Sequence, residues 1–339
     1  MRALLITAPG EAEVREVPAP RAHGGEVVVE VEQAGVCGTD MELFHGTLSY
    51  IRDGFTTFPI RPGHEWCGRV RSVGAGVNHA LVGQRVIADT MLGCRRCARC
   101  RAGRHHLCAI RTEIGIRGDQ PGALAERLVV PAWALHPIPE VLSPAAGALV
   151  EPGGTALRAV RAAGLTGGEE VLVLGGGTIG LLCAAFAAVS GARVTVADPR
   201  PEGLALAGRY GAAAVAVDDL PDEPAFEVVV DASGAAESPA RGVQLTEPGG
   251  RLVLVGLPGQ PAMIDSRELV FGDLTVSGLL GASAGLEGAI VWYAAGEVVP
   301  DDLVAAVVGL AEIPDVLRGV RPAGAGPGPK IHVQPTRHG

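Results

Sequence analysis

A chain of 339 residues, 47% hydrophobic and only 4% aromatic, has enough apolar sequence for about two domains with full cores. Its formal net charge of −9 argues against nucleic acid as a partner, because phosphate binding needs a basic surface. The apolar run at residues 1–6 is too short for a signal peptide and no stretch reaches membrane-spanning length, so the seven cysteines point to metal or reduced thiols in a cytoplasmic protein.

Residues 1 to about 150 read mostly as strands, with β-type patterns at 4–7, 13–17, 26–33, 69–73, 85–88 and 128–130 between Pro and Gly punctuation. From about residue 155 short apolar strands alternate with Ala-rich helical segments, the pattern of βαβ units. Strands are expected at 171–174, 193–197, 214–217, 227–231, 251–255 and 274–277, which makes a six-stranded, doubly wound parallel sheet. The expected division is a mainly β domain at 1–151, a βαβ domain at 152–282, and a return to the first domain at 283–339 with a last strand at 330–333.

The most informative stretch follows the first of the six strands. Gly175, Gly177 and Gly180 form G-x-G-x-x-G, enclosing Thr178 and Ile179 and opening an apolar helical run. In a dinucleotide-binding turn the first glycine permits the bend, the second lets backbone approach a pyrophosphate, and the third packs helix on strand. The pattern alone is weak in so glycine-rich a chain. Its context is what counts: a strand before, a helix after, and Asp198 at the end of the next strand.

Two groups of metal-ligating residues stand upstream. Cys94-x-x-Cys97-x-x-Cys100 and, seven residues on, Cys108 form a compact four-thiolate set within a lobe at about 91–110. Such a set closes a tetrahedral zinc site and leaves no position for substrate, so its metal contributes folding energy. His105 and His106 lie inside the loop, but four thiolates already fill the site, and Arg95, Arg96, Arg99 and Arg101 offset its charge. The second group is looser: Cys37-Gly38-Thr39-Asp40, then Gly63-His64-Glu65, and Glu151-Pro152 at the domain junction. One thiolate, one imidazole and one carboxylate make a three-ligand zinc set with a position open. Asp40 is expected to hydrogen-bond the histidine from behind.

With these motifs in this order, the chain resembles the zinc-dependent medium-chain dehydrogenase/reductase family over essentially its whole length. The resemblance implies a Rossmann domain beside a mainly β, GroES-like catalytic domain carrying a zinc-binding lobe. It makes Cys37 and His64 zinc ligands, with Glu65 or Glu151 completing the set, and Thr39 the hydroxyl that passes the substrate proton outward. Where the family often has histidine three residues beyond that hydroxyl, this chain has Glu42. The bare Gly153-Gly154 suggests a wider substrate or nicotinamide pocket.

The chemistry implied is transfer of hydride between a nicotinamide cofactor and a secondary alcohol or ketone, with two zinc ions per chain, one closed and one open. Asp198 favours NAD over NADP by accepting ribose hydroxyls, while Arg200, two residues on, is the counter-signal for a 2′-phosphate. Phe44, His45, Tyr50 and Arg52 are expected near the pocket, and Cys67 and Cys183 in the core. Glu42, Glu65 and Glu151 make the site acidic, which suits a polyol, sugar or cyclitol better than an anion. A threonine or amino-alcohol 3-dehydrogenase is the alternative within the family, and a non-catalytic zinc- and nucleotide-binding scaffold the alternative outside it. The edge strand at 274–277 invites pairing, and the resemblance implies that it meets its twin in a homodimer or homotetramer.

Overall fold

The computed structural model describes residues 1–118 and 120–337, which form two compact units, Met1–Glu151 with Pro300–Gly339 and Pro152–Val299. In the first unit a seven-stranded sheet runs in the order Val304–Val308, Lys330–Val333, Glu26–Val36, Glu65–Val73, Arg85–Ala88 and Leu135–Pro137, with Arg127–Pro131 also paired to Glu26–Val36. A hairpin of Arg2–Ala8 and Glu11–Glu16 packs Leu4 and Ile6 into the core with Val29, Trp66, Val70 and Leu128.

Register in this sheet decides where the chemistry sits. Gly35 is opposite Glu65, and Val36 opposite Ile331. The residue after Val36 is therefore brought beside the segment leading into Glu65, and Lys330 arrives from the far end of the chain. A side chain at Gly35 would strike the Glu65 carboxylate, so the small residue there leaves room for it.

The second unit is a parallel sheet in the order Ala212–Ala216, Arg193–Asp198, Glu170–Leu174, Phe226–Asp231, Thr246–Leu254 and Thr275–Gly278. Its strands are nearly all apolar because helices cover both faces, and Leu172, Val229 and Leu252 are fully buried. The winding reverses between Glu170–Leu174 and Phe226–Asp231, which puts the switch point where ligands bind in such sheets beside Gly175.

Two expectations need correction. The chain returns to the first unit at Pro300 and not at 283, because helix Leu286–Ala294 packs within the second, with Tyr293 stacked on Phe186 at 6.1 Å. Gly153 and Gly154 do not widen a pocket. A Cβ at Gly153 would collide with Tyr293, and one at Gly154 would lie 3.0 Å from the Leu286 backbone, so both glycines allow close helix packing. The expected strand positions agree with the observed ones to within a few residues, except that Thr246–Leu254 starts well before 251. Val304–Val308 was not anticipated. No helix among the described residues is long and apolar enough to cross a membrane.

Candidate metal centres and nucleotide turn

The four-cysteine lobe is organised by its own backbone. Cys97 caps the short helix Ala98–Arg101, its sulfur accepting from Cys100 N at 3.5 Å, and Cys94 N donates to Cys108 Sγ at 3.5 Å. All four sulfurs lie within 4.8 Å of one another and none is in a disulfide. Backbone N–H groups of Arg96 and Cys97 hold the Cys94 thiol below its ordinary pKa, while burial and the neighbouring sulfurs push Cys100 up to about 12. The donor set fits a closed zinc site. His105 does not join the sulfurs; its Nε2 lies 2.6 Å from Asp89 Oδ2.

The second set is assembled from distant segments. Cys37 follows the strand Glu26–Val36 and precedes helix Gly38–His45. His64 precedes the strand that Glu65 begins. Asp40, fully buried, ties the two loops together by accepting from Cys37 N at 2.8 Å and Gly63 N at 3.1 Å. It does not hydrogen-bond the histidine as expected, for its Oδ1 is 3.9 Å from His64 Nδ1, beyond hydrogen-bond reach. Its work is on the backbone. Gly63 needs its φ of +101°, and a Cβ there would sit 2.7 Å from Leu124 N. Thr90 Oγ1 donates to the His64 carbonyl at 3.3 Å.

Ligand atoms of Cys37, His64 and Glu65 all fall within 4.8 Å of one another. Glu151, buried, does not join that mutual cluster, but its carboxyl responds to His64 and Glu65. Burial pushes it up to about 7 against the pull of His64. Burial also opposes charge on His64, yet Cys37, Asp40 and Glu151 overcome it and raise its pKa well above the ordinary value. A point that draws a proton onto a buried imidazole is one where a cation is stabilised, so these residues fit a zinc ion.

Sequence reading missed the residue that balances this charge. Lys330 Nζ donates to Glu65 Oε1 at 2.9 Å, lies 2.7 Å from Oε2, and donates to Val36 O at 3.1 Å. Desolvation of Glu65 is outweighed by this partner, and its pKa falls. The available signal was that Lys330 is the only lysine in an arginine-coded chain. Thr39 is half-buried in the first turn of helix Gly38–His45, and burial raises the half-buried Glu42. Phe44 belongs to the core, and Tyr50 is engaged by Arg111 Nη2 at 2.9 Å and Glu113 Oε1 at 3.2 Å.

In the second unit, Gly175 has φ +100° and a Cβ there would meet the Ala232 backbone at 3.1 Å. One at Gly180 would strike the Gly175 carbonyl, whereas one at Gly177 meets nothing within 4 Å, leaving that side open to a ligand. Helix Thr178–Val189 starts there, with Thr178 and Ile179 in its first turn. Gly176, an unremarked position in the pattern, matters too: its N–H donates to Asp198 Oδ2 at 2.9 Å. Asp198 and Arg200 are hydrogen-bonded to each other. Arg200 donates to Asp198 Oδ1 from its backbone N at 2.9 Å and from Nε at 3.2 Å, while its side chain stays 69% exposed. A cavity of about 960 Å³ is lined by Gly175, Gly177, Asp198, Arg200, Ser233 and Arg241, among others.

Comparison with known proteins gives the family and the fold. Residues 23–140 match the alcohol dehydrogenase GroES-like domain, and residues 178–295 match the zinc-binding dehydrogenase domain. An L-threonine 3-dehydrogenase of Coxiella burnetii is 32% identical over 279 residues, 79% of this chain and 80% of its own. A protein of Sinorhizobium meliloti 1021 solved bound to NADP superposes with a TM-score of 0.89 at 32% identity, covering 98% of this chain and 99% of that one. Galactitol-1-phosphate dehydrogenase of Escherichia coli superposes with a TM-score of 0.86 at 26% identity, covering 99% and 100%.

Proposed function

The chain belongs to the zinc-dependent medium-chain dehydrogenase/reductase family, whose members are NAD(P)-dependent oxidoreductases, and on that premise we propose that it interconverts a secondary alcohol and its ketone in a polyol, sugar or cyclitol, with NAD as cofactor. The observation that carries the substrate class is the charge of the second metal set. Its lysine is committed to Glu65, and Glu42 and Glu151 add two further carboxyl groups. A surround rich in carboxylate oxygens accepts hydrogen bonds from neutral hydroxyls and disfavours an anion. One observation favours a second reading: the Coxiella burnetii relative is an L-threonine 3-dehydrogenase, and acidic groups also suit an ammonium.

Cys37 and His64 would hold the reactive zinc with Glu65 or Glu151, and Cys94, Cys97, Cys100 and Cys108 the structural one. The zinc supplies Lewis acidity toward a substrate oxygen, and the nicotinamide supplies the hydride acceptor. Asp40 keeps Cys37 and His64 at fixed separation by holding the backbone of both loops. Lys330 keeps Glu65 charged and oriented. Thr39 takes the hydroxyl proton and hands it toward Glu42, whose raised pKa suits it to receive one. The open side of Gly177 and the start of helix Thr178–Val189 would hold the pyrophosphate, and Asp198 the ribose.

Two further proposals accompany this one. The edge strand Thr275–Gly278, with Val270 and Phe271 exposed nearby in sequence, supports a homodimer or homotetramer. Seven free thiols suit the reducing cytoplasm. Metal analysis together with a panel of polyols, sugars, cyclitols and amino alcohols, each with NAD and NADP, tests the whole. Two zincs per chain and turnover of polyhydroxylated alcohols are expected. Turnover confined to amino alcohols would give the site to the threonine-type reading, and one zinc without turnover would leave a scaffold.

A further inference from the structure

The two cysteine-bearing sets are joined by a short chain of contacts that neither set needs for its own ligands. His105 sits in the single turn His105–Leu107 inside the lobe, and its carbonyl accepts from the N–H of Cys108 at 2.9 Å. Its ring donates from Nε2 to Asp89 Oδ2 at 2.6 Å. Asp89 is 3% exposed, held through its own N–H to Ala134 O at 2.9 Å. The next residue, Thr90, donates through Oγ1 to the carbonyl of His64 and accepts from Ile114 N at 2.9 Å. Three residues thus connect a sulfur-bearing backbone to the histidine of the second set.

The path is packed tightly enough to transmit a displacement. A Cβ at Gly93 would lie 2.7 Å from Cys100 Sγ and 2.8 Å from His105 Cβ, so the imidazole and the sulfur cage share one wall. On its other side the ring meets the edge of Trp133, centroids 6.1 Å apart, and Arg95 lies over that indole at 5.2 Å. Loss of order in the loop would leave this buried carboxylate without its imidazole partner.

We propose that His105 is a positioning residue that reports the state of the four-cysteine lobe to His64 through Asp89 and Thr90, so that emptying the lobe loosens the second metal set. The inference rests on the reading of both sets as metal centres. By linkage the effect is reciprocal, and filling the second set steadies the lobe.

Cadmium NMR of the full chain, one resonance per occupied set, separates the two questions. If the parent fails to give two resonances, the reading of two centres fails before the link is tested. With two in the parent, His105→Ala is expected to shift or broaden the resonance of the Cys37, His64 and Glu65 set and to lower kcat about tenfold with KM for the cofactor unchanged. His105→Gln, whose amide can still donate to Asp89, should restore most of both. If the lobe resonance is also lost in His105→Ala, a displaced second resonance still supports the link. A second resonance and kcat that stay put, whether the lobe is full or empty, overturn it. Asp89→Asn combined with His105→Ala should add little to either alone, and full additivity would likewise sink the path.

Discussion

The nucleotide turn and the four-cysteine lobe are each built from neighbours in sequence, whereas the second metal set is assembled by a sheet. Gly175 to Gly180 bend, open and pack within one strand–helix junction, and Cys94 to Cys108 are organised by their own N–H···S contacts. Cys37, His64 and Glu65 meet only because antiparallel register sets Gly35 against Glu65, and Lys330 reaches Glu65 across 265 residues. A local site is lost by changing its own neighbours, whereas an assembled site is also lost by changing a distant residue that shapes its frame, such as Lys330.

The sharpest way to break this contrast is at the reactive set itself. Cys37→Ser or His64→Ala should lower kcat by roughly 10³-fold or more while leaving the melting profile and NAD binding close to the parent's, since the turn proposed to bind nucleotide lies in the other unit. Steady-state kinetics beside calorimetric titration with NAD would decide it; near-normal turnover in either variant removes the assignment. Lys330→Met comes next. It strips a buried carboxylate of its cation, which costs about 3–5 kcal/mol, and here the damage is to fold and site together. Pairing it with Glu65→Gln should recover much of the stability but not the activity, as measured by denaturant unfolding and kcat.

How much was legible follows the same division. The six parallel strands, the turn and the lobe were readable because their signals are contiguous: an apolar run, a glycine spacing, a cysteine spacing. Cys37, His64 and Glu65 were readable as residue types, but what holds them together was not. Asp40 grips two backbone N–H groups and not the imidazole, a distinction of 3.9 Å against 2.8 Å that no spacing encodes. Lys330 and the Asp89–His105 pair depend on tertiary register alone. Gly153 and Gly154 misled because a bare position reads the same whether it opens a pocket or admits a helix.

At the lobe the expected effect is smaller and of the opposite kind. Cys100→Ser leaves three sulfurs around a site whose metal contributes folding energy, so Tm should fall by roughly 5–10 °C and metal content by about one ion per chain. Turnover at low temperature should fall no further than it does in His105→Ala, because His105 is the contact through which the loss travels. A variant that melts like the parent and keeps both metals would show that the lobe is not a closed metal site.

The smallest effect belongs to the nucleotide turn, and its sign is the informative part. Asp198 accepts from Gly176 N and from the backbone and side chain of Arg200, and despite its desolvation these partners hold its pKa below the ordinary carboxylate value. It is therefore ionised at neutral pH, where a 2′-phosphate would bring a second negative charge into a partly desolvated site. Lost ribose hydrogen bonding and like-charge repulsion are each worth about 1–3 kcal/mol, enough for roughly tenfold discrimination or more. Asp198→Ala removes the repulsion and releases Arg200, whose mostly exposed guanidinium can then meet the phosphate. It also takes from Gly176 the acceptor that steadies the turn, so NAD should weaken while NADP improves. The ratio of kcat/KM for the two cofactors should shift about tenfold or more toward NADP between parent and variant. A parent that already prefers NADP would mean that Arg200 leaves Asp198 when cofactor binds, and that the arginine, not the aspartate, sets the preference.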